Sequence, residues 1–472
     1  MVEVQHTRKP EFNERYYICR GTGKYYSNFN ITAKYDKLIS KSHLSIALRS
    51  LILKNSWLAQ NFFKIEGSDS RKENFHNWRM QVINKISFED VVKYEKIDKF
   101  DEVTLEYLNV LTLEMGVQMP LWRIIVFEEN TGDQLLTVYV DHSQYDGLSA
   151  VQFQKDLSNE LFKVTDDGEV RKTLFEYVTD FDHLPSKLIP AAEVVTDLYV
   201  PGYSRMLSHY LKQYLPFYSK FSSWIYPHGN QMPLFQNPKP VTKDLTSKYK
   251  IMKFHAVKVE EITKFCRSKG VTLTGYFDVY FIKALQETIF KAIDPKTKFK
   301  TNSYVAINGR RYYNDDIKNF KYGTMVCGDP VILERVDDPS EAMRTFQQQL
   351  QEDIKSKYAF KTIGMIQYAD LWSFFNSKIG KVGGRPTLTI SNLGKIADSN
   401  DSYRFKELYF GSNAGVLYNF VLNMTTISTN EVTAVIGYLP EFETYSLDGK
   451  KVIDEFLNLF RSYIEDGTKL IQ

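Results

Sequence analysis

Apolar residues alternate with polar ones in some stretches of the chain and recur at helical spacing in others, which predicts a mixture of strands and helices. Residues 26–35 alternate like a strand, and residues 38–54 place their apolar side chains on one face of a helix. Residues 121–128 and 135–140 are predicted strands, and the Asn, Gly and Asp between them are typical of a hairpin. Residues 149–162 return to helical spacing, so the first half is predicted to mix α and β structure.

The second half of the chain starts this alternation afresh. Its predicted strands are residues 251–257, 304–307, 387–390, 417–426 and 431–438. Its predicted helices are residues 259–268, 275–290, 338–358 and 452–464, and Thr272 or Thr274 is the expected cap of the second. Because each half has its own strands and helices, we expect an α/β fold of the α+β type, with two similar layers side by side.

The residues between the two halves have a different composition. Prolines recur throughout this segment, and they exclude one long helix. We therefore predict an N-terminal domain at 1–185, a crossover at 186–245 and a C-terminal domain at 246–472. Aromatic residues of the crossover, such as Phe221 and Trp224, either pack on the two domains or form an apolar collar at a substrate mouth or a membrane-facing patch.

Composition and charge narrow the class of protein. The chain has 472 residues, which suits two or three domains, and 43% of them are hydrophobic, which is enough to fill a core. The net charge is only +3 and the basic residues are scattered, so a nucleic-acid partner bound by bulk charge is not expected. The three cysteines form no C-x-x-C pair, which argues against a zinc site or a disulfide framework and favours a reducing compartment.

The chain shows no sequence that would direct it into or through a membrane. Residues 1–15 are polar and charged, and no run approaches the roughly 20 apolar residues of a spanning helix. We expect a cytoplasmic monomer with at most weak peripheral contact with the endoplasmic reticulum or a lipid droplet. The 31 tyrosines and 32 phenylalanines either belong to the core or line a pocket for an apolar ligand.

The hexapeptide His142–Gly147, of the form H-x-x-x-D-G, carries the clearest chemical signal. It follows directly on a predicted strand, where a histidine can project into a cleft and exchange a proton near neutral pH. The alternative is an ordinary packed or surface histidine. Because the chain has no G-x-S-x-G elbow and no cysteine near a histidine in sequence, Asp146 is not expected to belong to a nucleophilic triad. The chain also has no Walker motif and no G-x-G-x-x-G after a strand, which disfavours ATP and dinucleotides.

Together with two further segments, this motif resembles a known enzyme group. The H-x-x-x-D-G motif, the N-x-R element at 308–310 and the T-I-S-N-L-G segment at 389–394 look like the CoA-dependent acyltransferase superfamily of chloramphenicol acetyltransferase and the plant BAHD enzymes. Residues 24–29 and 120–123 look like the fungal alcohol acetyltransferase family within it. That family includes a shorter branch that N-acetylates sphingoid-like drugs. The chain lacks the D-F-G-W-G segment of the plant enzymes, which argues against a plant-type enzyme.

The resemblance implies a fold and a set of roles. It implies two chloramphenicol acetyltransferase-like domains, each a mixed sheet with helices, and an active-site channel at their interface. It implies that His142 is the general base and that Asp146 supports the site by pairing with an arginine, for which Arg310 is our candidate. The alternative for Arg310 is a solvated loop charge. Gly147 either permits close backbone approach or is an ordinary turn glycine.

Two further sets of residues are candidates for holding the substrates. Ser391 and Asn392 follow a predicted strand and would orient the substrate or the tetrahedral intermediate, unless they form only a polar turn. CoA carries a 3′-phosphate and a pyrophosphate, which a basic, glycine-containing loop could bind. The candidates in that loop are Lys381, Gly383, Gly384 and Arg385.

Three functions remain open at this point. The first is acetyl transfer from acetyl-CoA, used as a co-substrate without a metal, to a hydroxyl of a hydrophobic or amphipathic alcohol. The second is N-acetylation of a long-chain amine such as a sphingoid base or a related drug, as in detoxification. The third is a non-catalytic lipid-binding or scaffold protein of the same fold, whose expected signature would be loss of the histidine motif. In both enzymatic readings the transfer is direct, with no acyl-enzyme.

Overall fold

The computed structural model describes residues 6–165, 168–185, 187–203, 206–207, 211, 232–313 and 320–470. Its strands are β1 (Thr7–Arg8), β2 (Asn28–Tyr35), β3 (Gln60–Lys64), β4 (Trp78–Val82), β5 (Lys85–Ser87), β6 (Val92–Ile97), β7 (Trp122–Glu129), β8 (Gln134–Asp141), β9 (Thr173–Glu176), β10 (Lys248–Phe254), β11 (Thr301–Asn308), β12 (Val326–Leu333), β13 (Leu388–Lys395), β14 (Phe405–Ser412), β15 (Phe420–Thr426), β16 (Val432–Tyr438), β17 (Ser446–Leu447) and β18 (Lys450–Lys451).

Helices cover the faces of the sheets and connect their strands. We number those of the described residues α1 (Phe12–Thr22), α2 (Lys41–Lys54), α3 (Phe88–Val91), α4 (Glu102–Leu108), α5 (Gly147–Lys163), α6 (Tyr177–Asp180), α7 (Ala256–Lys269), α8 (Leu273–Glu287), α9 (Ile289–Ile293), α10 (Pro339–Lys355), α11 (Tyr358–Gly364), α12 (Leu371–Asn376) and α13 (Val452–Leu470).

Two mixed sheets form the framework, which confirms the predicted α/β class. The first has five strands in the order β14-β2-β8-β7-β6, and the second has six in the order β10-β16-β15-β13-β11-β12. The predicted hairpin is present as β7–β8, and the predicted strands at 417–426 and 431–438 pair as the hairpin β15–β16. Helices α2 and α5 pack on each other beside the first sheet, and α8, α10 and α13 pack together beside the second.

One strand crosses between the halves of the chain. Strand β14 comes from the second half, yet it pairs antiparallel with β2 at the edge of the first sheet. The boundaries at 1–185, 186–245 and 246–472 do not anticipate this exchange, and the division of the chain stays a prediction. An apolar cluster that includes Phe127 of β7 and Tyr249 of β10 joins the two sheets. The two halves are therefore tied both by strand pairing and by packing.

Local chemistry explains where the helices near the site begin. Ser40 accepts a hydrogen bond from the main-chain N–H of His43 at 3.2 Å, so α2 starts at Lys41 and not at residue 38. Thr272 caps α8 by accepting from the N–H of Gly275 at 3.2 Å, which is one of the two caps predicted. The buried face of α2 is made of the predicted residues Leu44, Ala47, Leu48, Leu51 and Ile52.

Among the other predicted boundaries that were wrong, two have a reason that the structure shows. The strand predicted at 387–390 runs from Leu388 to Lys395, because its polar continuation pairs in parallel with β15. The helix predicted at 338–358 ends at Lys355, and α11 begins after Lys357, which has a left-handed backbone with φ of 57°.

The part of the crossover around Phe221 and Trp224, which we predicted to pack or to face a substrate or membrane, lies outside the described residues. Among the helices that are described, none is both long enough and apolar enough to cross a bilayer.

Candidate active site

The H-x-x-x-D-G motif forms the connection between β8 and α5. Strand β8 ends at Asp141, and the main-chain N–H of His142 donates to the carbonyl oxygen of Ser27 at 2.8 Å. The carbonyl oxygen of His142 accepts a hydrogen bond from the hydroxyl of Thr324. Because both main-chain groups of His142 are bonded, one to each half of the chain, the direction of its side chain is set by the fold.

The imidazole of His142 lies in an aromatic cradle. The Tyr17 ring is stacked on it, with centroids 4.8 Å apart and 14° between the ring planes, and the Phe29 ring lies 4.4 Å away. The residue is only half-buried, although protein surrounds it. Its Nδ1 atom is buried and makes no hydrogen bond of good geometry among the described residues. Nε2 is therefore the nitrogen left to meet a substrate.

The surroundings keep this imidazole neutral. Burial lowers the pKa of His142 to about 3, and the positive charge of Arg20 acts in the same direction. The Asp146 carboxylate and the main chain of Tyr145 favour the protonated ring, but less strongly. At neutral pH the ring is thus unprotonated and able to accept a proton.

Asp146 is buried and is held by several donors. It is the N-cap of α5, and its Oδ1 accepts from the N–H of Ser149 at 2.8 Å. Its Oδ2 accepts from Arg310 Nη1 at 2.6 Å and from the N–H of Met325 at 2.9 Å. Burial would raise the pKa of Asp146, but the Arg310 charge and these hydrogen bonds hold it below its usual value. The predicted pairing of Asp146 with Arg310 is present, and the carboxylate has no capacity left for proton transfer.

Arg310 reaches Asp146 because of a tight turn at the end of β11. The Asn308 side chain accepts from the Arg310 N–H at 3.0 Å and starts the short 3-10 turn Gly309–Arg311. The guanidinium also donates from Nη2 to Ser149 Oγ at 2.8 Å. Arg310 is therefore not a solvated loop charge.

A short segment before β12, in the second half of the chain, is hydrogen-bonded to the motif. The carbonyl oxygen of Gly323 accepts from the N–H of Asp146 at 3.2 Å and from the hydroxyl of Ser149 at 2.7 Å. The Met325 N–H also donates to Asp146, and the Thr324 hydroxyl donates to His142. Three of these four hydrogen bonds reach the motif itself, and the fourth reaches Ser149 in the first turn of α5. The motif is thus a joint between the two halves of the chain.

Gly147, the first residue of α5, is in close contact with the segment that contains the other site candidates. A Cβ atom at this position would lie 2.7 Å from Leu393 Cδ2, closer than carbon atoms can approach. The nearest neighbour of Gly147 is therefore a side chain of β13, and the predicted close approach of backbone stays a prediction.

Ser391 and Asn392 lie within β13, so they do not form the polar turn that was the alternative to a role in orienting the substrate. Asn392 uses both ends of its amide, since Nδ2 donates to Thr274 Oγ1 at 3.2 Å and Oδ1 accepts from the Gly394 N–H at 2.9 Å. The Ser391 hydroxyl makes no hydrogen bond to any described residue. Ser391 is therefore the residue of this pair whose side chain is not engaged within the described residues.

The predicted CoA loop is divided between exposed and buried residues. Lys381 and Gly384 are exposed, whereas Gly383 is buried against Gln236. Arg385 is only 6% exposed, and its Nη1 lies 3.8 Å from Glu441 Oε1. A buried arginine that faces a carboxylate is poorly placed to bind phosphates. The role of this loop stays a prediction, with Lys381 as its accessible cation.

Four residues near His142 were missed by the sequence analysis. Tyr17 and Arg20 lie on α1, a helix that no apolar stripe signals, because its buried residues include several polar ones. Phe29 lies in a predicted strand, where nothing distinguishes it from a core residue. Thr324 lies in a segment without regular structure.

One cavity of the described residues lies beside the motif, and the histidine is not part of its lining. It measures about 710 Å³ and lies between α2, α5 and the segment 320–322. Its lining includes Trp57, whose Nε1 donates to the carbonyl oxygen of Gln144 at 3.0 Å inside the motif. The rest of the lining mixes lysines and carboxylates, so we do not assign it to an apolar acceptor.

Comparisons with known families and sequences give a consistent result. The family described as alcohol acetyltransferase matches residues 12–464. Alcohol O-acetyltransferase 2 of Saccharomyces cerevisiae is 22% identical over 531 residues, which cover 97% of each protein. N-acetyltransferase SLI1 of the same yeast is 28% identical over 140 residues, covering 29% of this chain and 28% of that protein.

Solved structures share the fold. The trichothecene 15-O-acetyltransferase TRI3 from Fusarium sporotrichioides superimposes with a TM-score of 0.66 at 11% identity, over 97% of this chain and 94% of that chain. The condensation domain of the polyketide synthase MokA gives a TM-score of 0.61 at 13% identity, over 99% and 98%. At these identities the likeness concerns the fold alone.

Proposed function

Because this chain belongs to the alcohol acetyltransferase family, we propose that it transfers an acetyl group from acetyl-CoA to a hydroxyl of a hydrophobic or amphipathic alcohol. One observation carries the proposal. The neutral His142 imidazole is held by main-chain bonds to both halves of the chain, beside a carboxylate that is fully occupied with structural contacts. This is the arrangement of a base whose partner positions it and does not share its proton.

The reaction that fits this geometry is direct transfer. His142 Nε2 accepts the proton of the acceptor hydroxyl as the oxygen attacks the thioester carbonyl. The tetrahedral intermediate collapses with cleavage of the C–S bond, and the CoA sulfur takes the proton from His142. The protein thereby returns to its starting state after each turnover. Ser391 is our candidate donor to the oxyanion, because its hydroxyl is not used elsewhere among the described residues.

A series of aromatic rings beside His142 supports the proposal that the acceptor is apolar. The Tyr17 ring on His142 also contacts the Tyr16 ring at 5.1 Å, and Tyr16 contacts Phe375 of α12 at 5.1 Å. Phe375 in turn stacks on Tyr25 at 5.0 Å. Phe375 and Tyr25 are fully buried in the core, whereas Tyr17 and Tyr16 are half-buried. Tyr17 and Tyr16 are therefore the rings of this series that suit contact with an alkyl or ring body.

The second candidate is acetyl transfer to an amine. The partial similarity to N-acetyltransferase SLI1 favours it, and the same base would remove the proton of a neutral amine. A non-catalytic role is disfavoured because the histidine motif and its supporting contacts are intact.

Acceptor-dependent release of CoA tests the proposed function. The purified protein is incubated with acetyl-CoA and either an aliphatic alcohol, a sterol or a sphingoid base, and free CoA and acetylated product are measured. We expect turnover with at least one hydrophobic alcohol. Absence of turnover with every acceptor would support the non-catalytic reading instead.

The low pKa of His142 predicts an unusual dependence of kcat/KM on pH. Its pKa lies near 3, below the ordinary histidine value of about 6.5, so the base form persists as the pH falls. For a neutral alcohol, kcat/KM should stay constant from pH 8 down to about pH 5, because this parameter reports the free enzyme. Burial raises the pKa of Asp141, the preceding residue, to about 6, so the Asp141→Asn variant is the control. An acid limb near pH 6.5 that persists in Asp141→Asn would contradict the prediction.

A further inference from the structure

Arg20 of α1 places a positive charge one aromatic ring away from His142. Its guanidinium carbon lies 5.2 Å from the centroid of the Tyr17 ring and 5.8 Å from that of Tyr16. The Tyr17 ring is the one stacked on His142. Arg20 is half-buried, so its charge is screened less than that of a surface arginine.

Within the described ranges, this charge has no directly bonded counter-ion. Arg20 makes no side-chain hydrogen bond or ion pair there, and its Nε atom is buried without a partner. Of the two carboxylates nearest to His142 in sequence, Asp146 pairs with Arg310. Asp141, which precedes the motif, accepts from the Ser143 N–H and the Ser27 hydroxyl and interacts with Arg20 across space without forming an ion pair. Contact with tyrosine rings stabilises a guanidinium but does not neutralise it. Arg20 therefore holds a positive charge without a direct partner against the ring that stacks on His142.

We propose that Arg20 is a specificity-determining residue that selects acceptors entering the site uncharged, so that hydroxyl groups are acetylated in preference to ammonium groups. This inference rests on the proposed function. An alcohol enters neutral, gives its O–H proton to His142, and that proton leaves on the CoA sulfur. A long-chain amine is an ammonium in neutral solution. It has to release one proton to solvent before its lone pair can attack, and it approaches a site that already holds an unpaired cation.

The test compares two acceptors that differ only at the reacting group. kcat/KM is measured with acetyl-CoA and either decanol or decylamine at pH 7.5, for the wild type and for Arg20→Met and Arg20→Lys. In Arg20→Met, we expect the alcohol-to-amine ratio of kcat/KM to fall about tenfold, because a unit repulsion is removed at short range. Arg20→Lys keeps the charge and should keep the ratio. Arg267→Met, on the exposed end of α7, is the matched surface control.

A second readout separates this electrostatic role from a packing role. Because Arg20 lowers the pKa of His142, Arg20→Met should move the acid limb of the alcohol profile to higher pH, whereas Arg20→Lys should not. If Arg20→Met lowers both rates equally and leaves the limb in place, Arg20 only packs and the inference is wrong. Should Arg20→Met not fold, Arg20→Gln takes its place in the same comparison. Failure of the wild type with every acceptor would instead overturn the proposed function.

Discussion

Replacing His142 by alanine is expected to lower kcat/KM for acetyl transfer roughly 10²- to 10⁴-fold, the range that a positioned general base contributes. The main-chain bonds of His142 to Ser27 and Thr324 do not depend on its side chain, so the motif should keep its conformation. The variant also loses a buried Nδ1 atom that has no well-formed hydrogen bond. We therefore expect a folded protein whose defect lies in the rate.

The matched control removes a histidine that has no part in the site. His255 precedes α7 and its side chain is 90% exposed, so His255→Ala should keep the activity of the wild type. Circular dichroism and the thermal midpoint of both variants establish that they are folded. Equal activity of His142→Ala and His255→Ala would exclude His142 as the base.

Replacing Asp146 by alanine is expected to destabilise the protein as much as it impairs the reaction. The carboxylate is buried and accepts from Arg310, from the N–H of Met325 and from both donors of Ser149. Its removal leaves the Arg310 charge, which is 20% exposed, and two main-chain donors without partners. Breaking a buried pair from one side costs about 3–5 kcal/mol of the free energy of unfolding. A urea titration followed by circular dichroism measures this loss.

An exposed ion pair provides the comparison for Asp146. Asp133 binds Lys34 at 2.7 Å, but its side chain is 50% exposed, so Asp133→Ala should cost no more than about 1 kcal/mol. A stable Asp146→Ala protein with a pure rate defect would show that the carboxylate acts in the chemistry itself. We expect the urea concentration at the unfolding midpoint to be clearly lower than that of the wild type for Asp146→Ala and nearly unchanged for Asp133→Ala.

The elements that rest on local pattern could be predicted from the sequence. The apolar face of α2 and the hairpins β7–β8 and β15–β16 follow from short-range periodicity and turn residues. The pairing of Asp146 with Arg310 was also predictable, although 164 residues separate them, because both lie in recognisable motifs.

Features that depend on distant partners could not be predicted in this way. Strand β14 joins the first sheet through pairing with β2, which is hundreds of residues earlier and leaves no local trace. Ser391 and Asn392 look like a turn by composition, but parallel pairing with Asn423 and Met424 extends the strand through them. In the sequence, Arg20 is one of many scattered cations. Only the packing of α1, which brings Tyr17 onto His142, shows that Arg20 lies near the site.

The central claim is that His142 acts as a base in direct transfer and never carries the acetyl group. The most direct test mixes the wild-type protein with a stoichiometric amount of labelled acetyl-CoA and measures free CoA and protein-bound acetyl, before and after a hydrophobic alcohol is added. We predict neither CoA release nor protein-bound label before the alcohol, and one CoA per acetylated alcohol afterwards. A burst of CoA with label on the protein before any alcohol is present would contradict the claim.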